Sequence, residues 1–398
     1  MNEQKIKELA VKFGTPSYIF DTESVAARAG RIREILGDRI HLCYSIKANP
    51  FLVSAILPCV DRLEVCSPGE LAICEERGVP GDAILYSGVC KLPEDIREAV
   101  RYGAGIYTAE SVHQFELVHA EAEKRGKTLP ILLRINVGSQ FGMSREDLLY
   151  LIDHRAEYPH LSIEGIHCFG GTQRKNLKFQ RQELSMLRDL FEEVREKHHL
   201  ILKKLEYGTG LPVPYFEGDD FEDPFRLLEE LAPDLAAAAD YADVTVEMGR
   251  FFASPCGYYL TRVCDIKHVG DAHYALVDGG IHHIHYDGQM MGMKVPKMLH
   301  LRQSSGQFSG DGEEGKTLPW TICGSLCTTN DVLVRRVGLT DLKLGDVLCF
   351  ENLGAYSVTE AMTLFLSRTL PRVVLYDGCS GRLARDFKEA WRLNTEED

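Results

Sequence analysis

Residues 41–50 read HLCYSIKANP, and how they are read decides the fold. From Leu42 to Ala48 the run is apolar and β-prone, and the pair Asn49-Pro50 breaks it. Lys47 therefore stands near the end of a buried strand, where a cation needs a partner or a task. Further short β-rich runs start at residues 62 (RLEVCS), 83 (AILYSG), 104 (AGIYTAE), 131 (ILLRINV), 163 (IEGIHCFG), 204 (KLEYGTG) and 243 (DVTVEMGR), which with the first makes eight. The first four begin 21 residues apart. Between the runs lie stretches of helical periodicity, among them PEDIREAVRYG, ESVHQFELVHAEAEKRG, QRQELSMLRDLFEEVREKHHL and DPFRLLEELAPDLAAAADY. Eight strand-then-helix units predict an α/β fold, a (β/α)8 TIM barrel over residues 25–252.

After residue 252 the rhythm changes to strands without long helices: GYYLTRVCDI, HYALVDGG, LPWTICGSL, DVLVRRVGL, DVLCFEN and RVVLYDG. Residues 253–398 are expected to form a β-rich C-terminal domain, joined by residues 1–24 through the strand SYIF. The Gly-rich stretch RQSSGQFSGDGEEGK, 302–316, reads as an exposed loop. Of the 398 residues 44% are hydrophobic, and 45 basic against 59 acidic side chains leave a net charge of −14, with no basic run to track nucleic acid. The N-terminus, MNEQKIKELAVKFG, is a polar amphipathic helix rather than a signal peptide, and no segment approaches the ~20 apolar residues that span a bilayer. Twelve cysteines stand singly, without CxxC spacing. Together these features predict a cytoplasmic protein with reduced thiols and no membrane or nucleic-acid partner.

In a (β/α)8 barrel the active site lies at the C-terminal mouth. The run ends there carry Lys47, Glu64, Arg134, His167, the turn Gly208-Thr209-Gly210, and Glu247 with Gly249 and Arg250. A desolvated lysine can attack an aldehyde; it can also snorkel and pair with Glu64. The YGTG turn offers unobstructed N–H groups to a phosphate, with Arg250 to assist, or is a plain βα turn. Glu247 can keep a ring nitrogen protonated or pair with Arg250. An amine, a phosphate cradle and a carboxylate for a pyridinium nitrogen jointly fit pyridoxal 5′-phosphate.

These residues resemble the fold type III pyridoxal-phosphate-dependent amino-acid decarboxylases, the group of diaminopimelate, ornithine and carboxynorspermidine decarboxylases. The likeness runs in the family's order through YSIKAN, EVCSPGEL, LRINV, QFGM, GIHCFGGTQ, YGTG, EMGR, VDGG, GSLCTTND and NLGAY. It implies an alanine-racemase-like barrel and decarboxylation of an amino acid to its amine. Lys47 would join the cofactor's aldehyde carbon, and Glu247 would face its ring nitrogen. Thr172, Gly208, Thr209, Gly210, Arg250 and Tyr356 would hold the phosphate, with Gly249 beside them. Glu64, Glu70 and Arg134 would surround the cofactor. Cys327 would be the catalytic acid that reprotonates Cα, with Lys47 second in line. Asp331, Thr328, His282 and His283 would contact the substrate. In the family the Cys327 loop comes from the second subunit, so the resemblance implies a head-to-tail homodimer with shared active sites.

Two departures bear on chemistry and substrate. Phe169 in FGGT replaces the family's histidine stacked on the cofactor ring; an aromatic face can still pack there. CTTND lacks one carboxylate that would meet a distal ammonium, and HHIHYDGQMMGM lacks the arginine of diaminopimelate enzymes. Both features resemble decarboxylases of antibiotic and siderophore pathways, some of which act on carrier-bound or carboxylated amino acids. The competing expectations are amino-acid racemisation, against which Glu247 argues, and a non-catalytic decarboxylase-like regulator. HHIH at 282–285 lacks ligand spacing for a metal.

Overall fold

In the computed structural model, which describes residues 1–302 and 315–396, the strand SYIF is β1 (Ser17–Asp21) and belongs to a sheet outside the barrel. All but the ends of the loop expected over 302–316 lies outside the described residues. The chain divides into two compact units: Ala26–Pro212 with Asp223–Phe252, and Met1–Val25 with Val213–Glu222 and Ala253–Asp398.

The first unit is a closed barrel of eight parallel strands: β2 (Ile40–Ser45), β3 (Arg62–Val65), β4 (Ile84–Tyr86), β5 (Ile106–Ala109), β6 (Leu129–Arg134), β7 (Leu161–Phe169), β8 (Lys204–Gly208) and β9 (Asp243–Met248). β9 closes on β2, with Cys43 opposite Glu247. Each apolar run of the sequence becomes a strand because both its faces are covered. The helices Pro93–Tyr102, Val112–Lys124, Lys178–Lys197 and Arg226–Ala238 bury their apolar faces, as the periodicity predicts. The barrel interior is lopsided. Leu85, Ile106 and Leu132 pack together on the β4–β6 side. Arg62, Glu64, His167, Glu206, Thr245 and Glu247 supply polar groups from β3 and β7–β9.

The second unit holds β1, β10 (Gly257–Val269), β11 (Ala272–Val277), β12 (Met298–Leu301), β13 (Thr317–Cys323), β14 (Val332–Thr340), β15 (Val347–Glu351), β16 (Arg372–Tyr376) and β17 (Gly381–Arg385) in one sheet. β1 runs antiparallel to β10 and parallel to β16. The N-terminal helix Glu3–Phe13 packs Ile6, Leu9 and Ala10 against Ile19, Leu260, Leu301 and Val374. Val213–Glu222, which the sequence reading puts inside the barrel segment, belongs to this unit. Its aromatic residues explain why: Tyr215 packs on Tyr286 and bonds Ser254 through its hydroxyl at 2.9 Å, and its carbonyl accepts from Lys297. All twelve cysteines are free thiols. No helix among the described residues is long and apolar enough to cross a membrane.

Candidate active site

β2 stops at Ser45, and Ile46–Ala48 form one 3₁₀ turn rather than the end of the strand. Asn49 is the cause. Its Oδ1 accepts from the Phe51 N–H at 3.1 Å, its carbonyl takes the Tyr44 hydroxyl at 3.0 Å, and Pro50 opens the next turn. The turn carries Lys47 off the strand, where Nζ donates to Glu64 Oε2 at 2.6 Å and to Cys66 Sγ at 3.4 Å. Cys66 Sγ donates to the other oxygen of Glu64 at 3.0 Å. Burial works against the Glu64 charge, yet the Lys47 ammonium and these bonds hold its carboxyl well below the usual range. Glu64 is sealed in, whereas the Lys47 side chain keeps 38% of its surface. Glu70, expected beside a cofactor, accepts from the Cys66 N–H at 2.7 Å and braces the turn after β3.

On β9 the Glu247 carboxylate accepts from Ser45 Oγ at 3.2 Å and meets His167 Nε2 at 3.0 Å. It pairs with this imidazole and not with Arg250. Arg250 donates from Nε to Thr172 Oγ1 at 3.2 Å. The two sides of the YGTG turn explain its glycines. A Cβ on Gly208 would lie 2.4 Å from the Phe169 ring, so that ring lies directly against the strand end. Gly210 has φ +61°, and a Cβ there would sit 2.0 Å from the Gly171 carbonyl. Gly170–Thr172, Gly208–Gly210 and Gly249–Arg250 thus form a cradle of bare backbone, within which the buried Thr209 Oγ1 has no partner among the described residues.

Arg134 is committed elsewhere in the mouth. It pairs with Glu110, whose other oxygen accepts from the Gly142 N–H at 3.1 Å, and lies over the Phe141 ring. Near it is a residue the sequence reading did not single out. Lys91 is buried, donates to the Gly88 carbonyl at 2.6 Å and to Gln114 Oε1 at 3.1 Å, and burial pushes it down to about 8. In the stretch VCKLPED it reads as a solvated loop lysine; only its neighbours Thr108 and Gln114 betray the pocket.

The remaining expected residues lie in the β-rich unit. Cys327 is exposed at the tip of the Gly324–Asp331 loop, with Thr328 beside it. Asp331 is buried, and its oxygens accept from the Ile281 and Leu326 N–H groups at 2.8 and 2.7 Å, so it braces the loop with one acceptor site of each oxygen. His283 is likewise a core residue, its Nδ1 bonded to the Tyr259 hydroxyl at 2.8 Å. His282 packs on it, and neither ring nitrogen of His282 has a partner among the described residues; burial holds it down to about 4. Tyr356 has φ +66°, a strained backbone for a residue with a Cβ.

A cofactor bearing an aldehyde, a pyridine nitrogen and a phosphate fits the barrel residues: an accessible amine beside a buried acid, a held carboxylate, and a cradle with an orphan hydroxyl. The comparisons agree. The family model described as pyridoxal-dependent decarboxylase, pyridoxal binding domain, matches residues 22–254. The chain is 28% identical, over its whole length and 98% of the relative, to the L-glutamyl-[BtrI acyl-carrier protein] decarboxylase of Niallia circulans. It is also 28% identical, over 90% of this chain and 93% of the other, to the 2-[(L-alanin-3-ylcarbamoyl)methyl]-2-hydroxybutanedioate decarboxylase of Staphylococcus aureus. The crystal structure of AQ1208 from Aquifex aeolicus superposes with a TM-score of 0.84 at 25% identity, covering 98% of this chain and 93% of that one. The chain belongs to the pyridoxal-dependent decarboxylases, and it is an enzyme that removes carbon dioxide from an amino acid with pyridoxal 5′-phosphate as cofactor.

Proposed function

We propose that the substrate is an amino acid whose far end carries a carboxylate or a carrier thioester rather than an ammonium group. The observation that carries this reading is the Gly324–Asp331 loop. Thr328 stands next to Cys327, and the loop's one carboxylate, Asp331, is buried and tied to two backbone N–H groups. The nearby charge is positive: Arg368 donates to the Ser325 carbonyl at 2.7 Å. An ammonium group would find no second carboxylate there, whereas a carboxylate would find a cation. The carrier-bound glutamyl substrate named for the Niallia relative and the carboxylates named for the Staphylococcus relative fit this chemistry.

Within this reading Lys47 would bind the cofactor's aldehyde carbon, and Glu64, held ionised beneath it, would be the counter-charge that orients the amine. Glu247 would face the ring nitrogen, Phe169 would pack on the ring, and Thr172, Gly208–Gly210, Gly249 and Arg250 would hold the phosphate. When bound, the cofactor ring supplies an electron sink for the bond to the departing carboxylate. Cys327 gives the proton to Cα from the partner subunit of a cytoplasmic homodimer; the free cysteines support a reducing compartment. The test is carbon dioxide release from glutamate, a glutamyl thioester and a citrate-amide amino acid against lysine, ornithine and diaminopimelate. A tenfold or greater preference for any substrate with a distal ammonium overturns the proposal.

A further inference from the structure

Beneath Glu247 the barrel holds a second buried carboxyl group that the chemistry above does not use. Glu206 on β8 is the register partner of His167 on β7 and of Thr245 on β9, one inward-facing position before Gly208. It is 1% exposed. Its Oε2 accepts from Arg62 Nη1 across the barrel at 3.4 Å, while Oε1 meets no N–H or O–H donor among the described residues, with the Cys43 thiol facing the group. His167 Nδ1 has none either, although the other nitrogen of that imidazole meets Glu247 at 3.0 Å. Two orphaned polar atoms therefore sit on paired positions of neighbouring strands. Buried groups of this kind are costly unless a shared proton or a trapped water joins them.

The groups that face Glu206 are Cys43 from β2, Arg62 and Glu64 from β3, His167 from β7, and Thr245 and Glu247 from β9. Burial opposes a charge on Glu206 and so do the Glu247 and Glu64 carboxylates; Arg62 and the Cys43 thiol favour it. The balance pushes its carboxyl up to about 8. Cys43 cannot take over the charge, because burial and the same carboxyl groups raise its thiol as well.

We propose that Glu206 is a positioning residue that stores a proton under Glu247. Its O–H serves His167 Nδ1, directly or through one water, and the imidazole then keeps its own proton on Nε2. That N–H is donated to Glu247 and holds it as an anion toward the ring nitrogen. When Glu206 loses its proton to solvent, Nδ1 loses its donor, the imidazole is drawn to carry hydrogen on that side, and Glu247 loses its fixed partner. The last step rests on the placement of Glu247 described above; the proton store itself does not.

The experiment uses the full chain with ¹⁵N-labelled histidine, first without cofactor, His167→Gln serving to assign the signal. The wild type should show the Nε2–H tautomer at pH 7 and a shift of the His167 signal with a midpoint near 8. Glu206→Gln should keep the pH 7 tautomer, because an amide still donates, and lose the step. Should that variant fail to fold, infrared difference spectra of the wild type must show a protonated carboxyl disappearing over the same pH range. An Nδ1–H tautomer at pH 7, an unchanged step in Glu206→Gln, or no such infrared band overturns the proposal. With cofactor added, the same step should appear in its absorbance and vanish in the variant. A spectrum that ignores the step while the imidazole follows it would support the proton store and overturn the placement of Glu247.

Discussion

Lys47 differs from a surface lysine through what lies under it. Glu64 is sealed in and its two oxygens are taken by Lys47 Nζ and Cys66 Sγ, so the amine is held on a buried anion while the Lys47 side chain keeps 38% of its surface. Lys47→Ala should abolish the visible absorbance of the bound cofactor and lower turnover by roughly 10⁴-fold or more, read by spectrum and carbon dioxide release. Glu206 makes a separate prediction about stability. Its folded value of about 8 lies above the ordinary 4.5, so between those values the native state keeps a proton that the unfolded chain has lost. Stability then falls as pH rises through that window, with a slope approaching about 1.4 kcal/mol per unit from this group. Glu206→Gln should flatten the slope in denaturant titrations between pH 5 and 8; parallel curves would count against a protonated Glu206. Lys47 and Glu247 were legible in the sequence because strand ends in a barrel face the mouth. Glu206 and Lys91 were not: a polar residue inside a strand reads as a solvent face and a loop lysine as solvated, and only the closed barrel and its loops bury them.

The turn after β8 and the loop after β13 show how elements, rather than single side chains, set the site. Gly210 has both a left-handed backbone and no room for a Cβ, so Gly210→Ala should distort the cradle. The expected outcome is a loss of about 1–3 kcal/mol in stability and at least tenfold weaker cofactor binding, by thermal unfolding and by titration of the apo-protein with pyridoxal 5′-phosphate. Asp331→Ala leaves two backbone N–H groups of the loop unpaired and should cost roughly 2–5 kcal/mol, with cofactor absorbance retained. A variant that instead lost only affinity for substrate, at full stability, would return Asp331 to the substrate. All eight barrel strands were readable because burial on both faces makes them continuous apolar runs. β12 and β17 were missed for the opposite reason: MLHL has only four residues and GRLAR is charged, so pairing within the sheet, not local preference, makes them strands. The excursion Val213–Glu222 was hidden likewise, since the ring partner Tyr286 and the hydrogen-bond partner Ser254 of its Tyr215 lie far along the chain.

At the scale of the whole molecule, what remains exposed on the β-rich unit is as informative as what it buries. Cys327 stands at a loop tip, and Met290, Met293, Met362 and Leu366 leave from 49 to 62% of their surface to solvent. A cleft of about 470 Å³ lined by Ile284, Tyr286, Met290, Met291 and Met362 continues this apolar surface. Exposed apolar area of this kind is what an obligate partner covers. If the partner is a second copy and its Cys327 completes the site, each active site of a homodimer draws Lys47 from one chain and Cys327 from the other. Lys47→Ala and Cys327→Ala homodimers are then each defective at both sites. In a mixed dimer one site carries both substitutions and the other carries neither. Random mixing makes half the dimers mixed, so co-refolded variants should recover roughly a quarter of wild-type turnover. Sedimentation must first show a dimer. If the mixture does no better than its two components, Lys47 and Cys327 act within one chain, and the shared-site arrangement is wrong even though the cofactor chemistry of the barrel would stand.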